Sequence, residues 1–311
     1  MNKEYSKHNI YRYTVYGLNI ESDIELPELV SIEHKDLGVN NIDINIHYGD
    51  LSEAKKKISG YVVASVSRND MYVSVENIAL YRVVNGNEII VDPEEGAKSD
   101  RVRSFLLGRA FGVLFVERGT VAIHGSTIIK DGKGIIIAGH SGAGKSTLSA
   151  ALKQRGYKFI TDDVSALNID NYEIANIEPA YPLQKICRDT LENLGYKIDN
   201  FELSKKTDTR ERYVLPSEDS FINDKFPMGA FCEIAIGDNE EVIIEEITGT
   251  EKIKSLFRNG YFVNIERNIG LRQDYLTKYI KVAKNIPFYK ITRPDGKFTV
   301  NEQVELFEKV I

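Results

Sequence analysis

The segment Ile135–Leu152, IIIAGHSGAGKSTLSAAL, restricts the chain more than any other stretch. Gly139, His140, Ser141, Gly142, Ala143, Gly144, Lys145 and Ser146 fit G-x-x-x-x-G-K-[ST], with Thr147 next in line. Glycines let the backbone turn and bring its N–H groups against phosphate oxygens, where a β-carbon would block the approach. Lys145 would neutralise the outer phosphates, and the Ser146 hydroxyl would take one position on Mg²⁺. A helix opening at about Lys145 would direct its positive end at the anion. The context fits a strand–loop–helix unit. GIIIA is the short, branched run of a buried strand, and STLSAALKQRG is a helix stopped by Gly156. The expected fold class is therefore α/β.

A length of 311 residues predicts two units, or one large domain with an appendage. With 42% hydrophobic and 28% charged residues, the composition is that of an ordinary globular protein. A net charge of −6 gives no electrostatic support for nucleic-acid binding. The start, MNKEYSKHNIYRY, lacks an apolar signal core, and no apolar run approaches the roughly 20 residues that span a bilayer. The expectation is a cytoplasmic protein with no membrane or nucleic-acid partner. Cys187 and Cys232 lie far apart without a C-x-x-C partner and read as small buried hydrophobes.

Residues 10 to about 95 alternate branched and aromatic residues, with Asn-Asp and Asn-Gly turn signals, and predict β-hairpins. Val102, Phe105, Leu106, Leu107, Phe111, Leu114 and Phe115 then mark a helical face. The boundary is expected near Gly96, giving a β-rich N-terminal region, 1–96, and a catalytic region, 97–311. Two apolar runs flank Lys130-Asp131-Gly132-Lys133, a hairpin signal that sets His124, Gly125 and Ser126 on the strand beside the phosphate loop. After the loop helix, YKFITDDVSALNI predicts one more strand with Asp162 and Asp163 near its end. Paired carboxylates there suit a division of labour, one orienting Mg²⁺ and the other accepting a proton from an attacking hydroxyl.

His124-Gly125, GHSGAGKST and GYKFITDDVSAL together resemble the catalytic core of the HPr kinase/phosphorylase family. They resemble especially its smaller relatives that act as serine kinases on ribosomal peptides, such as the lasso-peptide precursor kinases. YGLNIESDIELPEL and IEPAYPLQKICRDTLENLG agree with those relatives too. The resemblance implies a P-loop kinase core of HPr-kinase type that transfers the γ-phosphoryl group of ATP, or of GTP, to a serine hydroxyl of a precursor peptide. It further implies that Lys145 holds the β and γ phosphates, that Ser146 and one of Asp162 and Asp163 hold Mg²⁺, and that the other aspartate is the base; the order assigned here is Asp163 on the metal. Asp162 would be the base, His124 would stand near the reaction centre, and homo-oligomers are common among such kinases. One departure counts against HPr as substrate. Where HPr-acting members carry a glutamate in a glycine-containing signature, this chain has YPLQKI with Gln184, and Glu178 is the remaining carboxylate that could stand in near the metal.

SKKTDTRERYVLP concentrates Lys205, Lys206, Arg210 and Arg212, and the two arginines are candidates to stabilise the transferring phosphoryl group. In the tail, Thr248-x-x-Glu251 and Thr299-x-x-Glu302 fit capping boxes, and Leu271, Tyr275, Leu276, Tyr279 and Val282 suggest an amphipathic helix. No chemistry is expected there. The chain lacks the Asn-Lys-x-Asp of a regulatory GTPase and the Leu-Ser-Gly-Gly-like signature of an ABC ATPase. A kinase of a protein such as HPr, a small-metabolite kinase and a nucleotide-sensing module stand as alternatives.

Overall fold

Hairpin chemistry builds the first part of the chain. The computed structural model describes residues 9–32, 42–169, 174–206, 211–261 and 273–311. Its contacts divide into two compact units, of which the first runs to Thr120 and takes in a short later stretch ending at Tyr275. In this unit β1 (Tyr11–Val15) and β2 (Leu18–Ser22) are joined by Tyr16 and Gly17, both at positive φ, as a two-residue turn of matching twist requires. They share one eight-stranded sheet with β3 (Val30–Ser31), β4 (Ile44–Tyr48), β5 (Val62–Ser67), β6 (Asp70–Val75), β7 (Ala79–Val84) and β8 (Glu88–Pro93), in the order β3-β1-β2-β4-β8-β7-β6-β5. Asn85 and Gly86 turn β7 into β8 at positive φ. The expected hairpins are present, but β4 pairs in parallel with both β2 and β8, so the sheet is not a run of hairpins alone.

The helical face after Gly96 becomes α1 (Ser99–Phe105), one π turn (Leu106–Ala110) and α2 (Phe111–Arg118). Val102, Leu106, Leu107, Phe111, Leu114 and Phe115 are buried, while Phe105 is only partly covered. Gly119 ends α2 at φ 68°, a left-handed cap that strains a glycine little.

The second unit comprises Val121–Tyr261 and Leu276–Ile311. Its long strand β9 (Val121–Lys130) turns at Asp131-Gly132, both at positive φ, into antiparallel β10 (Lys133–Gly139), as the sequence predicts. The phosphate-loop segment then opens α3 (Lys145–Gln154). Instead of one strand, the next stretch forms β11 (Lys158–Thr161) and β12 (Val164–Ile169), both antiparallel to β9. Asp163 at φ 60° breaks them apart, so the aspartate pair occupies a tight bend between strands.

Sheet formation continues with β13 (Ala175–Ile177), β14 (Leu183–Cys187), β15 (Glu202–Lys206), β16 (Glu211–Pro216), β17 (Phe226–Gly237), β18 (Ile243–Ile247) and β19 (Phe288–Pro294). The path β10-β9-β12-β13-β17-β19-β18 returns on itself, because β17 also lies parallel to β10. A separate three-stranded sheet, β14-β16-β15, carries α4 (Arg188–Asn193) after its first strand. Three further helices follow: α5 (Thr250–Asn259), α6 (Gln273–Asn285) and α7 (Val300–Val310).

One apolar cluster supports the loop. Ile135 and Ile137 of β10, Leu148 and Leu152 of α3, Ile234 of β17, and Val300, Val304 and Phe307 of α7 form one buried cluster. In α6, Tyr275, Tyr279 and Val282 are buried but Leu276 is exposed, and Leu271 lies outside the described residues. Neither capping box closes. Gly249, not Thr248, is the cap of α5, and Thr299 caps α7 without a side-chain bond to the helix N–H groups. Its hydroxyl oxygen instead meets Gln303 Nε2 at 3.2 Å. Among the described residues no helix is long and apolar enough to cross a membrane.

Candidate functional site

At the end of β10 the backbone is forced into conformations that only glycine adopts readily. Gly139, Gly142 and Gly144 have φ of 142°, 89° and 114°. A β-carbon on Gly139 would sit 2.4 Å from the Ile234 carbonyl oxygen of neighbouring β17. Gly139→Ala is therefore expected to lower the unfolding free energy by about 2–4 kcal/mol and to weaken nucleotide binding as the loop shifts. Chemical denaturation together with nucleotide titration measures both effects.

The loop turns back with Ala143 N–H donating to the His140 carbonyl at 3.0 Å. Ala143 is buried, while His140, Ser141 and Gly142 are exposed. Lys145 donates through Nζ to the Gly139 carbonyl at 2.8 Å and to the His140 carbonyl at 3.3 Å. Burial pushes its pKa down, opposed by Asp163 and Asp162 nearby, and the Arg212 charge adds to the lowering. Thr147 is tied by its hydroxyl to Thr190 on α4 at 2.9 Å.

The bend between β11 and β12 brings both carboxylates to the loop, with different surroundings. Asp162 Oδ1 accepts from Ser126 Oγ at 2.5 Å and lies 3.4 Å from Ser146 Oγ. Its Oδ2 accepts the Lys185 backbone N–H at 3.1 Å. Asp163, by contrast, faces His124: Nδ1 lies 2.9 Å from the Asp163 carbonyl and 3.4 Å from Oδ1. A carbonyl can only accept, so His124 Nδ1 carries the hydrogen and Nε2 of the neutral ring is an acceptor. Burial pushes the His124 pKa down; Asp163 pulls it up and Lys145 pushes it down further. The left-handed turn at Asp163 separates the two side chains, and it is Asp162, not Asp163, that lies beside Ser146. The sequence expectation puts Ser146 and Asp163 on the metal; the 3.4 Å approach of Ser146 Oγ to Asp162 Oδ1 makes the reverse order the alternative to test.

Gln184 is fully buried beneath the loop. Its Nε2 donates to the Ser146 carbonyl at 3.3 Å, and its Oε1 accepts from Lys153 Nζ at 3.0 Å. Burial pushes Lys153 down to about 8. A neutral amide thus supports the loop at this place without adding a carboxylate. Glu178 does not substitute for one: it is buried and accepts from Asn168 at 3.3 Å, away from the cavity lining.

These residues open onto one cavity of about 970 Å³. His124, Ser141, Gly142, Gly144, Lys145, Ser146, Thr147, Asp162, Asp163 and Arg212 line it. Gly139, His140 and Ala143 belong to the loop without lining the cavity, and Arg210 lies outside the described residues. Cys187 also borders the cavity, while Cys232 is the buried hydrophobe expected of it.

The tail, where no chemistry is expected from the sequence, contributes as well. Arg293 at the end of β19 donates through Nε to the Ala143 carbonyl at 2.7 Å and through Nη2 to the Gly142 carbonyl at 3.2 Å. A guanidinium that itself lines the cavity clamps the loop, and only its separation of some 150 residues in the chain hides it from motif reading.

The residues fit a metal held together with a nucleotide. Ligands at 2.0–2.1 Å on adjacent octahedral positions stand about 3 Å apart, near the Ser146–Asp162 spacing of 3.4 Å. Among the described residues no three acidic, histidine or cysteine side chains gather into a cage. Mg²⁺ takes few protein ligands and shares phosphate oxygens.

No protein-family profile matches the chain. It is similar to the HPr kinase/phosphorylases of two strains of Treponema pallidum, the Nichols strain and a second one of subspecies pallidum, each 27% identical over 202 residues. Those alignments take in 58% of this chain and span 59% of the length of either relative. Among solved structures, the Hpr(Ser) kinase/phosphatase from Coxiella burnetii is 14% identical, with 61% of this chain and 96% of that one covered at a TM-score of 0.30. The sequence similarity is thus to proteins of the HPr kinase/phosphorylase type; in this chain the glycine-rich loop and the aspartate pair lie together at the cavity.

Proposed function

We propose that the chain is a kinase that transfers the γ-phosphoryl group of ATP to a serine hydroxyl, and that the hydroxyl belongs to a ribosomal precursor peptide, at its carboxyl end. The observation that carries the transfer reading is the convergence of Lys145, Ser146, Asp162 and Asp163 with His124 in one cavity. A phosphate-binding loop alone would serve a sensor; a second carboxylate held by a histidine supplies a group able to take a proton from an acceptor.

Ser146 and Asp162 hold Mg²⁺, which neutralises charge on the phosphate oxygens when bound. Lys145 leaves the loop carbonyls for the outer phosphates. Asp163, oriented through His124, accepts the hydroxyl proton. Arg212, and Arg210 in the same segment, supply positive charge to the phosphoryl group in flight. Residues 1–96 position the acceptor, and residues 97–311 perform the transfer. The protein works in the cytoplasm.

The peptide acceptor rests on the resemblance of its motifs to peptide-acting relatives and on Gln184, which places a neutral amide where HPr-acting members carry a glutamate. A protein acceptor such as HPr is the second reading, favoured by the similarity to the two Treponema pallidum proteins. Mass spectrometry of serine-ended precursor-like peptides, HPr and free serine, after incubation with Mg²⁺ and ATP or GTP, separates them. A peptide should gain one phosphoryl mass and lose that gain when its terminal serine becomes alanine. Gain on HPr alone would move the acceptor to a protein, and gain on free serine alone to a metabolite.

A further inference from the structure

Glu233 on β17 is a buried carboxylate that the transfer chemistry does not use. Both of its oxygens are filled from α5. Ser255 Oγ and Arg258 Nη2 donate to Oε2 at 2.5 and 2.8 Å, and Asn259 Nδ2 and Arg258 Nε donate to Oε1 at 3.0 and 3.2 Å. A buried charge so fully hydrogen-bonded makes its surroundings rigid. What it fixes is the end of α5, because Asn259 is the last residue of that helix and Gly260 leaves it extended, at φ −61° and ψ 134°.

Along Val121–His124, β9 has β12 on one side, and β10 pairs with β9 only from Gly125 onward, which leaves the other side of that stretch to the chain after α5. Gly260 bridges to Ile123, and Tyr261 N–H donates to the Ala122 carbonyl at 2.7 Å. The Tyr261 ring is thereby set against the His124 ring, with centroids 5.8 Å apart and planes at 41°, within the range of a packed aromatic pair. His124 lines the cavity and Tyr261 does not, so the contact supports the imidazole from outside the reacting space. Nδ1 of His124 meets the Asp163 carbonyl, which Gly125 N–H also holds at 3.1 Å. One hydrogen bond leaves a ring able to pivot about it, and packing on a second side removes that freedom.

We propose that Tyr261 is the positioning residue of His124: its ring, delivered by the Glu233 cluster at the end of α5, holds the imidazole with Nδ1–H on the Asp163 carbonyl and leaves Nε2 as the acceptor at the cavity. The inference rests on the kinase reading only for the step that the positioned histidine and aspartate serve. The bridge at Gly260 and the ring contact carry the placement itself.

The test is nitrogen NMR of the full chain labelled in its histidine rings, above neutral pH where burial keeps His124 uncharged, beside transfer kinetics with the serine-ended peptide, HPr and free serine as acceptors. His124→Gln assigns the resonances. Wild type and Tyr261→Phe should show a single His124 tautomer, with the hydrogen on Nδ1. Tyr261→Leu, which keeps apolar bulk but no ring, should show an average of the two tautomers, a kcat lower by about tenfold and an unchanged KM for ATP. Melting temperatures check the fold of each variant. A wild-type tautomer and rate in Tyr261→Leu, with only its melting temperature lowered, would reduce Tyr261 to packing and refute the proposal. Loss of the single tautomer in Tyr261→Phe would move the support from the ring to the hydroxyl and overturn it too. Should Tyr261→Leu fail to fold, nuclear Overhauser contacts between the two rings in the wild type decide instead: their presence with one tautomer supports the placement, and their absence or an averaged ring refutes it. If no acceptor is phosphorylated while the tautomers follow the expected order, the proposed function falls and the placement stands.

Discussion

Asp163→Asn is expected to lower the transfer rate by about 10²–10⁴-fold while nucleotide affinity stays within a few-fold of wild type. The amide keeps the shape of the side chain but cannot take a proton. Single-turnover transfer and a separate binding titration read the two quantities independently. Asp162→Asn is expected to behave differently. Asp162 shares its Oδ1 between Ser126 and the neighbourhood of Ser146, so neutralising it should raise the Mg²⁺ concentration needed for half-maximal activity. Excess Mg²⁺ should then restore part of the rate, whereas it should not rescue Asp163→Asn. Were the two variants to exchange these behaviours, the assignment taken from the geometry would be wrong and the order expected from the sequence would stand.

Lys145→Ala should weaken nucleotide binding by about 10–100-fold, the value of one charge-assisted hydrogen bond, and should lower transfer further still. Nζ is held 2.8 Å from the Gly139 carbonyl. Much of its desolvation precedes nucleotide binding, since burial is the main cause of its lowered proton affinity. A cation already partly stripped of water can turn from the loop carbonyls to charge that grows on the phosphoryl oxygens during transfer, where electrostatics has its largest effect. Lys145→Arg should not rescue, because a planar fork does not fit a point-charge position backed by loop carbonyls. A Lys145→Ala variant with unchanged binding would remove the loop from the account.

Much of the site was legible because it is local. Phosphate loop, preceding strand, following helix and the Asp131-Gly132 hairpin all lie within Val121–Gln154, where turn chemistry and apolar runs determine structure over short distances. What stayed hidden depends on distant pairings. The parallel neighbours β10, β17 and β19 are brought together by burial of apolar faces, and nothing in the local pattern of Phe288–Pro294 says which strand it joins. Arg293 therefore read as ordinary packing although it clamps the loop.

The different partners of the two aspartates were hidden for a conformational reason. Asp162-Asp163 reads as two adjacent carboxylates at a strand end, but a positive φ at Asp163 sends their side chains to different partners. That conformation is uncommon outside glycine, asparagine and aspartate, and no periodicity announces it. Thr299 shows the same limit on a smaller scale. The capping box is present as a pattern, yet the hydroxyl is taken by Gln303.

Phosphorus NMR of the chain with Mg²⁺, ATP and the serine-ended peptide, followed in real time, tests the central claim most directly. The account predicts a phosphoserine ester resonance that grows in step with ADP and is absent when the acceptor serine is alanine. Tight nucleotide binding with an unchanged ATP spectrum, or release of inorganic phosphate alone, would contradict a kinase that delivers its phosphoryl group to a peptide serine.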